Sequence, residues 1–174
     1  VFRNVSSGVG VFSFNIKQDF SITYGSNDIA VGDLDGDGKV DLVTSSYNGS
    51  SGELPVLRNT STGPGNINFA SVFILNASGT GKWPVKFADM NGDGKLDIVT
   101  ANPSANTVLV YLNNSVSGTL STTSFSLAIT QPAILANVYG LNVGDVNGDG
   151  NVDIALAYST VGPNNVSVLK NRSE

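Results

Sequence analysis

The sequence predicts an all-β fold made of three four-stranded units of about 56 residues each. Three observations lead there. The segment DLDGDGKVD at Asp33 returns as DMNGDGKLD at Asp89 and DVNGDGNVD at Asp145, each copy 56 residues after the last, and self-similarity at a fixed period marks an array of like units. Each copy is followed by a short β-branched or apolar run, DLVTSSY, DIVTANP or DIALAYS, too soon interrupted by turn residues to be a helix. Gly, Pro, Asn and Ser fill the connections between such runs, as turns require.

Alignment on the three copies justifies the elements in order. A first strand leads into the acidic loop (IAVGDL, VKFADM, LNVGDV), and a second leaves it. A third ends in Asn (LPVLRN, VLVYLN, VSVLKN), and a fourth is rich in aromatics (INFASVFIL, TSFSLAI). Four short antiparallel strands recurring at this period are the pattern of β-propeller blades, small twisted sheets packed side by side. The chain reads as a single repeat domain over 1–174. Residues 1–20 supply the third and fourth strands of a preceding or shared blade, blades follow at 28–75 and 84–130, and 140–171 form a blade lacking its fourth strand. Three blades are too few to close a ring, which usually takes about four to eight. The expectation is therefore a partial propeller: a fragment of a larger propeller, or half of a six-bladed assembly in which a homodimer exchanges terminal strands. Open blade faces and unpaired edges favour such association.

The loops carry the chemistry. Oxygen side chains at positions 1, 3 and 5 converge on one point when the backbone wraps tightly, and these are Asp33, Asp35 and Asp37, then Asp89, Asn91 and Asp93, then Asp145, Asn147 and Asp149. Position 7 offers a backbone carbonyl (Lys39, Lys95, Asn151), and position 9 restores a carboxylate (Asp41, Asp97, Asp153). Glycine at position 6 (Gly38, Gly94, Gly150) permits the positive φ of a sharp turn. Position 8 is aliphatic (Val40, Leu96, Val152) and is expected to plug each loop into a core. Position 12 holds Thr44, Thr100 or Leu156 where a helix–loop–helix calcium site has a bidentate Glu, and strands follow the loops, which sets aside a dockerin-like reading as well. The expected cofactor is Ca2+, one ion per loop and three in all, because a flexible loop of five or more oxygens suits a large hard cation. The competing reading is an Asp/Gly-rich turn without metal.

Composition excludes several functions. Ten of the fourteen carboxylates lie in the loops, and three bound divalent cations would take the net charge from −5 to about +1. The nine Lys and Arg are scattered, so no nucleic-acid surface is expected. No apolar stretch approaches the roughly 20 residues of a membrane span. The absence of His and Cys removes Ser-His-Asp triads, thiol nucleophiles, disulfides and thiolate metal sites. Asp28 and Glu53 fall on different strand types and form no evident catalytic pair, so the chain is read as non-enzymatic. The sequons at Asn48 and Asn59 read as chance in so Asn- and Ser-rich a chain. Trp83 and Tyr139, each six residues before a loop, are candidates to stack on a sugar ring or anchor a protein. The alternative is that they cover the blade-to-blade contact.

The acidic loop, the strand before it and the trailing V-x-L-x-N strand resemble the FG-GAP and VCBS repeats of integrin-α-like calcium-binding β-propellers. The likeness runs from VFRN at Val1 to VLKN ending at Asn171. Phe14, Phe69 and Phe125 stand where a repeat-opening Phe falls, but no Gly follows them, which brings the bacterial-type VCBS variant closer. The resemblance implies that the loop joins the first and second strands of a blade and that all its ligand positions carry over. It also implies an extracellular or cell-surface setting and a role in recognition or adhesion, with a glycan, as in a lectin, or a protein as ligand. The alternative it allows is a purely structural or assembly domain of a larger secreted protein or enzyme.

Overall fold

Each acidic loop forms the turn of a β-hairpin, and further strands extend the hairpins into sheets. The computed structural model describes residues 1–22, 24–47, 52–77, 84–132, 138–159 and 166–172. The first blade is β1 (Ser26–Gly32), β2 (Asp41–Tyr47), β3 (Gly52–Leu57) and β4 (Phe73–Asn76), antiparallel and hydrogen-bonded in chain order. The second repeats it with β5 (Val85–Ala88), β6 (Asp97–Asn102), β7 (Thr107–Asn113) and β8 (Phe125–Pro132). The third has β9 (Val138–Gly144), β10 (Asp153–Tyr158) and β11 (Val166–Leu169). Among the described residues there is no α-helix, only a 3-10 turn at Thr122–Ser124. The all-β propeller-blade architecture expected from the repeats is thus present, as a row of blades.

The N-terminal segment pairs with itself. Val5 N–H donates to the Ser13 carbonyl and Asn15 N–H to the Arg3 carbonyl, both at 2.8 Å. It lies against the first blade, where Gln18 Nε2 donates to the Ile67 carbonyl at 3.0 Å and the Phe20 ring meets Phe69 edge-on at 4.9 Å. The residues read as repeat-opening, Phe14, Phe69 and Phe125, sit opposite Asn4, Asn59 and Asn113, at the start of the fourth-strand region.

The core lies between blades. Strand side chains alternate faces, so the middle blade is buried on both. Ile98, Leu109 and Tyr111 join the first blade's Val43, Leu54 and Val56 in one cluster, while Val99, Ala101, Val108 and Val110 join the third blade's Leu141, Ile154 and Leu156 in another. Each fully buried Val, Leu or Ile side chain contributes about 1.5–3 kcal/mol relative to exposure. Asp28 clamps the first seam, its Oδ2 accepting from Val85 N–H at 3.1 Å and Lys86 Nζ at 2.9 Å. That carboxylate is committed to the contact between the blades.

Position 8 corrects an expectation. Leu96 does pack on the first apolar cluster, within reach of Gly32, and Val152 is half-buried, but Val40 is 50% exposed. The side chain that enters the next core is position 2: Leu34 is 2% exposed, Met90 packs on the second cluster, and Val146 is 60% exposed. Position 2 points toward the following blade and position 8 toward the preceding one. Val40 and Val146 occupy the two ends of the row, where no further blade stands among the described residues.

Candidate metal centres

The first Asp of each loop organises the turn. Asp33 Oδ2 accepts from Gly38 N–H at 2.8 Å, Asp89 Oδ2 from Gly94 N–H at 2.7 Å and Asp145 Oδ2 from Gly150 N–H at 2.9 Å. Those glycines hold φ of +83°, +84° and +88°, a region that a Cβ penalises. Position 5 fastens position 7: Asp37, Asp93 and Asp149 each accept from the N–H of Lys39, Lys95 or Asn151 at 2.9 Å. N–H donors stabilise the charged form. Hydrogen bonds from Gly150 and Gly148 hold the Asp145 carboxyl below the usual range, and those from Lys95 N–H and then Asn91 do so for Asp93. For Asp149 the Asn151 N–H leads and Lys170 adds to it.

Position 9 closes the loop from inside. Asp41 Oδ2 accepts from Leu34 N–H at 2.9 Å and its Oδ1 from Asn59 N–H at 2.8 Å. Asp97 does the same with Met90 and Asn113, at 2.9 and 2.8 Å, and Asp153 with Val146 and Asn171, at 3.1 and 2.9 Å. All three are buried. Burial pushes the Asp41 and Asp97 carboxyls above the ordinary range despite these N–H donors.

In the first loop, Asp33, Asp35 and Asp37 bring carboxylate oxygens within 4.8 Å of one another. Asp35 is 2% exposed, and its Oδ1 has no hydrogen-bond partner. A buried, unpaired carboxylate oxygen is costly, and a hard cation there would supply what it lacks. The donor set fits calcium: carboxylates at positions 1, 3 and 5, a fixed turn, and a carboxylate at position 9 whose oxygens retain lone pairs. The second and third loops have the same hydrogen bonds, but Asn91 and Asn147 replace the middle acid and are exposed. Asn91 Nδ2 donates to Asp93 Oδ2 at 3.1 Å, and Asn147 Nδ2 to Asp153 Oδ2 at 3.0 Å. Among the described residues, only the first loop gathers three acids at that spacing.

Sequence reasoning noted the Asn that ends each third strand but missed what it does. Asn113 Nδ2 donates to the carbonyls of Leu34 at 2.8 Å and Leu96 at 2.9 Å, and Asn171 Nδ2 to that of Met90 at 2.9 Å. Each thus reaches position 2 of the preceding blade's loop. The signal was its recurrence 16 to 18 residues after the position-9 Asp. Asn59 also corrects the sequon reading: its Nδ2 donates to the Val40 carbonyl at 2.8 Å and its Oδ1 accepts from Ser61 N–H at 2.9 Å. Asn4 with Ser6 and Asn113 with Ser115 repeat that Asn–Ser turn, so this N-x-S is a structural motif. Asn48 lies outside the described residues, as does Trp83. Tyr139 stands on β9, 71% exposed.

Blades with an acidic loop between their first two strands define a β-propeller-type repeat module. The chain belongs to the FG-GAP-like repeat family, whose profile matches residues 46–100 and 89–156. It is also 31% identical to the phosphatidylinositol-glycan-specific phospholipase D of Dictyostelium discoideum, in a match covering 83% of this chain and 19% of that protein. The chain therefore spans about a fifth of that relative's length. Among the described residues, no helix is long and apolar enough to cross a membrane.

Proposed function

We propose that this chain is a calcium-stabilised propeller module that serves extracellular recognition or adhesion and does no chemistry of its own. The observation that carries the calcium reading is Asp35 Oδ1, buried and unpartnered among three converging carboxylates. Each loop takes one ion through positions 1, 3, 5, 7 and 9. Thermal melting with calcium and with chelator tests this. For a site at 100 times its dissociation constant, stabilisation is about 2.7 kcal/mol, and each kcal/mol moves the melting temperature of a chain this size by about 2–4 °C. An unchanged melting temperature on chelation returns the loops to metal-free turns.

Recognition falls to surfaces outside the metal loops. Tyr139 supports it as an exposed ring at the start of β9, and loss of glycan- or protein-binding in Tyr139→Ala checks it. A second reading, a structural domain of a larger enzyme, is favoured by the relative that is itself named a phospholipase D and that the chain matches over a fifth of its length. In either reading further blades cover Val40 and Val146, from a longer chain or from a second copy in a six-bladed ring. The second copy requires a dimer mass by light scattering.

A further inference from the structure

The residue before the Asn of each third strand differs from blade to blade, and the difference falls on the loops. It is Arg58 in the first blade, Leu112 in the second and Lys170 in the third. Arg58 Nε donates to Asp35 Oδ2 at 2.5 Å and its Nη2 to Asp37 Oδ2 at 2.7 Å, with the arginine side chain 21% exposed. Lys170 Nζ meets Asp149 Oδ2 at 3.1 Å with half of its side chain in solvent. Leu112 brings no charge and packs on the second apolar cluster. The loop with the extra carboxylate, Asp35 in place of Asn91 and Asn147, is thus the loop with the sheltered two-pronged cation.

Asp35 and Asp37 are positions 3 and 5. A guanidinium bridging them holds one oxygen of each of two carboxylates that a divalent cation would also draw on, and its planar fork suits the task better than an ammonium does. It does not satisfy the site, since Asp35 Oδ1 stays unpaired. The loop backbone is meanwhile pinned by the second blade: Ser115 Oγ donates to the Leu34 carbonyl at 2.8 Å, Ser117 Oγ to that of Gly36 at 3.2 Å and Gly118 N–H to that of Asp35 at 3.1 Å. What is free to exchange is the arginine side chain.

Resting on the calcium reading above, we propose that Arg58 is an internal cation that stands in for the metal at the first loop, so that calcium binds there only by displacing it. The first loop is then a site whose affinity Arg58 lowers and whose metal-free form Arg58 stabilises. The second loop, with Leu112, has no such competitor.

The position-6 glycines give each loop its own reporter. Calcium titrations followed through the Gly38, Gly94 and Gly150 amide resonances compare wild type, Arg58→Leu, and the double variant Arg58→Leu/Asp35→Asn, which reproduces the second loop's Asn91 and Leu112. In Arg58→Leu the Gly38 midpoint moves to about tenfold lower calcium, equivalent to 1.4 kcal/mol, while Gly94 and Gly150 keep theirs. The same variant melts below wild type in chelator, and the gap closes in calcium. If the single variant fails to fold without calcium, the double variant carries the measurement, with its Gly38 midpoint close to that of Gly94. An unchanged or weakened Gly38 midpoint, with Gly94 and Gly150 still responding, overturns the role of Arg58 alone. If none of the three glycines responds, the metal reading falls and this proposal with it.

Discussion

Asn113→Ala tests how much of the seam between the first two blades hangs on one side chain. The Asn113 amide is fully buried; it donates to the Leu34 and Leu96 carbonyls and accepts from Ser115 N–H. Leu34's carbonyl keeps a second donor in Ser115 Oγ, so truncation orphans mainly the Leu96 carbonyl and the Ser115 N–H. Each buried orphan costs about 1–3 kcal/mol, which puts the loss at about 2–6 kcal/mol, or about 4–24 °C in melting temperature for a chain of this length. The neighbouring Asn114 is the control: it is exposed, its Nδ2 reaching the Leu112 carbonyl at 3.3 Å and Ser126 Oγ at 3.0 Å, and Asn114→Ala should stay within about 0.5 kcal/mol. Urea unfolding of both variants at one fixed calcium concentration gives the comparison. Equal costs for the two substitutions would show that the seam is held by apolar packing alone.

Two further outcomes are expected beyond the chelation and Arg58 experiments. Burial pushes the Asp28 carboxyl up, and hydrogen bonds from Lys86, Val85 N–H and Ile29 N–H more than reverse that, leaving it below its usual value. The stability it adds is present above the unfolded carboxylate range of about 3.9 and is lost as pH falls through the lower folded value. In chelator, wild type should therefore exceed Asp28→Asn at pH 6, and the difference should vanish in acid; a gap independent of pH refutes the ion-pair account. Gly32 and Gly144 each precede a loop's first Asp, yet a Cβ at Gly32 meets Leu96 at 2.7 Å and Phe87 at 3.0 Å, while one at Gly144 meets nothing within 4 Å. Gly32→Val should cost about 1–3 kcal/mol by overpacking, and Gly144→Val should cost nothing measurable by the same unfolding assay.

Strands and loops were legible because their causes are local. The β-branched and apolar run of DIVTAN, the Gly-bounded turns and the oxygen spacing all lie within a dozen residues, and β6 and the loop at Asp89 fall where they predict. The direction of packing was not legible, because the partner of each side chain belongs to another blade. Val40 and Leu96 look alike in sequence, yet only Leu96 has a preceding blade's Gly32 to meet. Leu34, flanked by Asp33 and Asp35, reads as part of a polar loop and proves to be core. The loop carboxylates were found as oxygen donors, but the clasp by Asp41, Asp97 and Asp153 on the position-2 N–H was hidden, since spacing says nothing of which backbone group a buried acid will face.

That clasp joins the acidic loops to the array. Position 2 gives its N–H to its own loop's position-9 carboxylate, and its carbonyl takes a bond from the next blade's Asn, as at Leu34 with Asp41 and Asn113, and at Met90 with Asp97 and Asn171. A group that firms the loop therefore firms the seam beyond it. In the metal-free chain burial makes the charge on Asp41 and Asp97 costly, so the clasp is strongest where a neighbouring positive charge lowers that cost. The first loop has Arg58 for this purpose, two bonds deep in Asp35 and Asp37, and the second has no third-strand cation because Leu112 stands there. Without metal, the seam between the second and third blades is thus the one whose loop has no third-strand cation, and calcium should raise its protection against amide exchange more than it raises that of the first seam.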